Sequence, residues 1–184
     1  MIIGLTGYAQ SGKDTLANIL VEDYGYTRVA FADKIRDFLY EVNPMVGCSP
    51  SGYLKDLVNL VGWDKAKQEP QVRRLLQDLG VGARKVFGEG FWVHEAMKTM
   101  LTDPRPDFKY VITDVRFLNE ADMLKANKGQ IWRVKRNGID AVNTHVSESQ
   151  MDGYPVDQIF TNNGSIEDLA ELIKTRMNNA LTES

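Results

Sequence analysis

The chain opens on an uncharged apolar run, Met1-Ile2-Ile3-Gly4-Leu5-Thr6. Such a run predicts a strand buried on both faces. Leu16, Ile19, Leu20 and Tyr24 then recur at helical spacing, and Gly25 supplies a stop. Residues 26–31 predict a second strand and residues 32–40 a second helix. Residues 43–53, rich in Gly, Pro and Ser, predict a loop, and residues 53–61 a short helix. Pro70 suits a first helical turn. From there Val72, Leu75, Leu76 and Leu79 form an apolar stripe. Residues 91–101 predict a further helix, broken by Asp103-Pro104-Arg105-Pro106-Asp107. The remaining strands are expected at 109–113, 130–135 and 158–161. Helices are expected at 118–125, closed near Gly129, and after Ser165, where Leu169, Leu172, Ile173 and Met177 line up. Ser165 with Glu167 and Asp168 reads as an N-cap followed by acids in the first turn.

Strands that alternate with helices predict an α/β fold: a parallel sheet of about five strands with helices on both faces. In such sheets ligands gather at the carboxyl ends of the strands. Residues just after Thr6, Phe31, Thr113 and Lys135 are therefore expected to line a site.

The first such position carries chemistry. Gly7-Tyr8-Ala9-Gln10-Ser11-Gly12-Lys13-Asp14-Thr15 fits G-x-x-x-x-G-K between a strand and a helix, the phosphate-binding loop of P-loop nucleoside triphosphate enzymes. Successive N–H groups there form an anion nest, and the helix N-terminus adds its dipole. Gly7 and Gly12 allow close backbone approach. Ala9, Gln10 and Ser11 supply further N–H groups, and Lys13 suits the β- and γ-phosphates of ATP. Asp14 stands where this motif normally has Ser or Thr. It could strengthen Mg²⁺ binding, or face an acceptor while Thr15 supplies the hydroxyl.

Composition narrows the setting. The formal net charge of −3 gives no overall basic field for a nucleic-acid polymer. Cys48 is the sole cysteine, so no internal disulfide forms, as expected in a reducing compartment. No apolar run reaches the ~20 residues that span a bilayer. Because the phosphate loop starts at residue 7, a cleaved leader would remove it. These points predict a cytoplasmic protein. Residues 1–184 are expected to form a single domain, with an acceptor-binding helical region near 32–102. Residues 137–156, polar and broken by Gly and Pro, are expected to form a short lid.

Further candidates follow from position. Asp114 ends an apolar strand, where a carboxylate suits Mg²⁺; the alternative is an N-cap for the next helix. Arg116 can fork onto a phosphate. Asn119 and Glu120 follow. Arg73, Gln77 and Arg84 return to one helical face, with Gly80 between them, if the helix survives Gly80 and Gly82. That face is either a binding surface or a solvated one. Asp33 and Lys34 follow the second strand. Trp92 either stacks on a base or fills core. Arg136 opens the lid segment, which also carries His145, Ser147 and Glu148. The guanine-specifying N-K-x-D run of switch GTPases is missing, and Asn162-Asn163-Gly164-Ser165 does not supply it.

Four segments carry a family likeness: residues 7–15 with their G-K-D-T ending, residues 73–80, Asp114-Val115-Arg116-Phe117-Leu118-Asn119-Glu120, and His145-Val146-Ser147-Glu148. Together they resemble the phage-type deoxynucleoside monophosphate kinases of the P-loop nucleoside monophosphate kinase group. The resemblance implies transfer of the ATP γ-phosphate to a deoxynucleoside 5′-monophosphate with Mg²⁺. It singles out Arg73, Gln77, Arg84, Asp114 and Arg116; with the loop and strand-end readings, the catalytic candidates are Lys13, Asp14, Arg73, Arg116 and Arg136, and the metal candidates Asp14 and Asp114. Substrate contacts would come from Asp33, Lys34, Arg73, Gln77, Arg84, Trp92, Asp114, Arg116 and Glu120. A homodimer is consistent with the likeness. Dephospho-CoA kinase and phosphomevalonate kinase share the loop more loosely, so a different phosphorylated acceptor is the alternative.

Overall fold

The structure, a computed structural model, describes residues 1–105, 107–139 and 150–182. Its sheet has five strands, β1 (Ile2–Thr6), β2 (Thr27–Val29), β3 (Tyr110–Ile112), β4 (Gln130–Lys135) and β5 (Gln158–Thr161). Their order is β2-β3-β1-β4-β5, and every pairing is parallel. The apolar opening run is thus the central strand, and Ile3 pairs with both Val111 and Gln130.

Alternation along β1 assigns its two faces. Ile3 and Leu5 join Trp132, Val134 and Phe160 in a cluster with Leu16, Ala17, Ile19 and Leu20 of α1 (Lys13–Tyr24). Leu169 and Ile173 of α7 (Ile166–Thr182) complete it. The opposite face meets α6 (Leu118–Ala126). A Cβ on Gly4 would stand 2.6 Å from Leu124 Cδ1, so the missing side chain is what lets α6 settle there. Each fully buried side chain of the size of Leu16 or Trp132 contributes about 1.5–3 kcal/mol. Reciprocal bonds between Ser165 and Asp168 cap α7: the Ser165 N–H donates to Oδ2 at 2.8 Å, and the Asp168 N–H donates to the Ser165 hydroxyl at 3.2 Å.

The chain divides into two compact units. The sheet unit comprises residues 1–30 and 100–184, and the second unit residues 31–99. The second is helical, with α2 (Phe31–Val42), α3 (Leu54–Ala66), α4 (Pro70–Phe87) and most of α5 (Phe91–Leu101). Its own core gathers Leu39, Val46, Leu54, Leu57, Val58, Ala66 and Val72, with Leu75, Leu76 and Leu79 packed against it. Among the described residues no helix is long and apolar enough to cross a membrane.

Two boundaries differ from expectation. The second strand ends at Val29, and Phe31 starts a helix. The apolar stretch through Phe31 looks strand-like, but Phe31, Ile35 and Leu39 repeat at helical spacing, and Phe31 and Leu39 are buried. The helix expected at 53–61 runs on to Ala66 across a break at Gly62, which has φ 77°. The helix from Pro70 does continue through Gly80 and Gly82. Residues 140–149, with His145, Ser147 and Glu148, lie outside the described residues.

Candidate active site

The loop after β1 has the backbone shape its sequence requires. Gly7, Gln10 and Gly12 all have positive φ, of 138°, 65° and 104°. Space is as restrictive as torsion. A Cβ on Gly7 would meet the Val134 carbonyl oxygen at 2.2 Å, and one on Gly12 would meet Asn162 Nδ2 at 2.1 Å. Asn162, just after β5, donates from Nδ2 to the Ser11 carbonyl at 3.0 Å, while its own N–H donates to Lys135 O at 2.8 Å. The loop is therefore held between the ends of β4 and β5. Ser11 is buried, and among the described residues its Oγ has no hydrogen-bond partner.

Gly12 caps α1, whose first turn carries Lys13, Asp14 and Thr15. Lys13 Nζ folds back and donates to the carbonyls of Gly7 and Tyr8, each at 2.7 Å. The ammonium is thus held by the loop's own carbonyls. Asp14 is exposed and pairs with Arg28 of β2 at 3.4 Å. Thr15 is half-buried.

After β3 the chain turns towards the loop. The Thr113 N–H donates to Val29 O and the Val115 N–H to Leu5 O, both at 3.1 Å. This sets half-buried Asp114 beside the end of β1. Asp114 is not the cap of α6, since Phe117 occupies the N-cap position. Glu120 does the capping: its Oε2 accepts from the N–H groups of Arg116 at 2.7 Å and Phe117 at 3.0 Å. Glu120 is only 2% exposed. Its carboxylate is turned to the backbone and shapes the Asp114–Phe117 turn.

Two cavities flank the loop. The first, of about 540 Å³, is lined by Gly7, Tyr8 and Ser11 of the loop, with Arg116, Arg133 and Arg136 contributing three guanidinium groups. Ala9 also lines it, as do Met151 and Asp152. The second, of about 450 Å³, runs from Gln10 and residues 12–15 to Asn162, Ser165 and Ile166. Arg136 lines both.

The sheet unit thus brings together the expected loop residues with Arg116 and Arg136, and Asp114 stands at the adjoining strand end. It also holds residues that sequence reasoning missed: Tyr8, Arg133, Asp152 and Asn162. Applying the strand-end rule to Thr161 would have found Asn162; no local pattern marks the others.

The remaining candidates belong to the helical unit. Arg73 and Gln77 are exposed on α4, and Arg73 Nε donates to Lys67 O at 3.3 Å. Arg84 pairs with Glu89 at 3.7 Å, Asp33 with Arg36 at 3.1 Å, and Lys34 with Asp37 at 3.9 Å. Gly80 is no bare ligand-facing patch: a Cβ there would stand 3.3 Å from Ile35 Cδ1. Its carbonyl accepts the Trp92 indole N–H at 3.0 Å. Trp92 is buried, with its ring edge-on to Phe91.

Comparison with known sequences identifies the family. The family described as deoxynucleotide monophosphate kinase matches residues 56–173. A mimivirus protein named "Putative deoxynucleotide monophosphate kinase" (Acanthamoeba polyphaga mimivirus) is 28% identical over 203 residues, covering 98% of this chain and 97% of that protein. The deoxynucleotide monophosphate kinase of Escherichia phage RB69 is 30% identical over 105 residues, 56% of this chain and 43% of the phage protein. That of Enterobacteria phage T4 is 29% identical over 136 residues, 67% of this chain and 55% of its own length. With a phosphate loop on the central strand and a family match across most of the chain, this protein belongs to the deoxynucleotide monophosphate kinase family and is a nucleotide-binding kinase.

Proposed function

We propose that the protein transfers the γ-phosphate of ATP to the 5′-phosphate of a deoxynucleoside monophosphate, with Mg²⁺ assisting. The observation that carries this reading is the phosphate loop set directly against a cavity walled by Arg116, Arg133 and Arg136. A donor triphosphate on the loop and an anionic acceptor beside it satisfy both features.

On the donor side, the loop N–H groups and Lys13 take the phosphates. Lys13 exchanges its two carbonyl partners for phosphate oxygens, which hold an ammonium more strongly. The second cavity takes the adenosine, with the Asn162 amide, the Ser165 hydroxyl and apolar Ile166 along its wall. On the acceptor side, Arg116 holds the 5′-phosphate, and Arg136, which borders both cavities, neutralises the group in transit. The acceptor phosphate is already ionised near neutral pH, so no strong base is required. Catalysis is then alignment plus charge stabilisation.

The residues present fit Mg²⁺. Asp14, Asp114 and Thr15 offer hard oxygen donors. Among the described residues no group of three or more His, Cys, Asp or Glu gathers into a cage. That suits an ion carried largely by nucleotide phosphates and water. When bound, Mg²⁺ supplies charge neutralisation across the β- and γ-phosphates. The Asp14–Arg28 pair is exposed, so Asp14 can leave it at little cost.

The test is ADP release measured over all deoxy- and ribonucleoside monophosphates, with dephospho-CoA and phosphomevalonate included. Turnover with deoxynucleoside monophosphates is expected. Turnover confined to a coenzyme precursor or another metabolite would overturn the assignment.

A further inference from the structure

The turn at residues 151–154 is fastened from three directions. Arg133 of β4 reaches it with its guanidinium, donating from Nη1 to Asp152 O at 3.1 Å and from Nη2 to the carbonyls of Met151 and Tyr154, the latter at 3.2 Å. Tyr8, inside the phosphate loop, donates its phenol proton to the Asp152 carboxylate, with both oxygens at 2.9 Å. The Tyr154 phenol donates to Asp122 of α6 at 2.8 Å. Met151 is buried, while Asp152 and Gly153 are exposed. Apart from Met151, polar contacts fix the turn.

Three features give this fastening a consequence for the reaction. Met151, Asp152, Tyr8 and Arg133 all line the cavity of about 540 Å³. The Arg133 guanidinium is committed to backbone carbonyls, so within this arginine-walled cavity it orders protein and leaves phosphate to Arg116 and Arg136. Tyr8 reaches the turn from the loop with its phenol, while the loop backbone is held separately by Asn162.

We propose that Tyr8, Arg133 and Asp152 form a clamp that holds the 151–154 turn as a fixed wall of the acceptor cavity. All three are positioning residues for the acceptor nucleotide. The proposal rests on the assignment of this cavity to the acceptor. A loosened wall costs acceptor affinity, because the wall must be ordered each time the acceptor binds. The donor cavity is lined by other residues, except for the shared Arg136, and loses little.

The experiment pairs Tyr8→Phe, Asp152→Ala and the double variant, each checked for fold by thermal melting. Amide hydrogen exchange at 151–154 in the nucleotide-free protein reads the clamp without reference to activity. Exchange is expected to quicken roughly three- to tenfold in each single variant, and no further in the double, because both remove one bond. Unchanged exchange would overturn the clamp. In steady-state assays of Asp152→Ala the acceptor KM is expected to rise roughly three- to tenfold, while kcat and the KM for ATP stay within about twofold. Asp152→Asn keeps an acceptor oxygen for the phenol and should restore most of the acceptor KM. Loss of kcat at unchanged acceptor KM would overturn the positioning role. Faster exchange in a protein whose wild type phosphorylates no deoxynucleoside monophosphate would uphold the clamp and overturn the acceptor assignment.

Discussion

Gly7 and Gly12 meet obstacles of different stiffness. The Cβ of Gly7→Ala would collide with the backbone oxygen of Val134, inside the central sheet; that of Gly12→Ala would collide with the end of the Asn162 side chain. Both substitutions also force a side chain to positive φ. Gly7→Ala should therefore cost about 2–4 kcal/mol in urea unfolding, and Gly12→Ala less, because Asn162 can swing away. Equal losses would show that torsion alone decides. At Lys13 the expectation is reversed: Lys13→Ala keeps the fold, since the side chain is half-buried and its ammonium donates to carbonyls of its own loop. Its kcat should fall on the order of 10²–10³-fold. A folded variant with full turnover would remove Lys13 from the mechanism. Asp14→Asn should shift the Mg²⁺ titration to higher concentration, and an unmoved titration would reject Asp14 as a ligand.

The secondary-structure elements show which interactions set the site from a distance. Glu120 fixes the turn that carries Arg116 through two backbone N–H groups. Glu120→Ala leaves those partly buried groups without their carboxylate and should cost about 1–3 kcal/mol, read by chemical denaturation. Asp157 ties α6 to the sheet, pairing with Lys125 at 2.6 Å and accepting from the Ile131 N–H at 2.6 Å. Burial pushes its carboxyl up, but the Lys125 and Ile131 bonds outweigh that and hold it below the usual range. A lowered folded pKa stabilises fully above the ordinary carboxylate range. The contribution is lost as pH falls through that range towards the lowered folded value. Asp157→Asn should flatten the acid limb of stability against pH, and an unaltered limb would assign it to other carboxylates. Legibility divides at this scale. The strands and helices were readable because period and punctuation are local, and the phosphate loop because its spacing is. The second strand was overrun because an apolar stretch of a few residues has no period of its own, so Phe31 could be placed either way. The Tyr8–Asp152 and Ser11–Asn162 contacts join residues 144 and 151 positions apart. No spacing along the chain encodes them. The two bonds of Glu120 were not legible, because a carboxylate beside candidate ligands looks the same in sequence whether it faces substrate or its own helix.

At the scale of the molecule, each unit has its own apolar core, and the loop and both described cavities belong to the sheet unit. Nucleotide should therefore stabilise the fold that contains the loop. At about 100 times Kd, bound ATP adds about 2.7 kcal/mol, which for a chain of this size raises Tm by roughly 5–10 °C. Thermal melting with ATP checks this, and the shift should vanish in Lys13→Ala; an equal shift in the variant would place the binding elsewhere. The self-bonded Lys13 also bears on what else the protein can hold. Its ammonium already has two carbonyl partners at 2.7 Å, so a visitor must offer something better than neutral oxygen to draw it away. Adenosine cannot, and a diphosphate or triphosphate can. Competitors for this enzyme should therefore be ranked first by the anionic charge they bring to the loop and only then by base, so an uncharged adenine mimic fitted to the second cavity forgoes the strongest contact on offer.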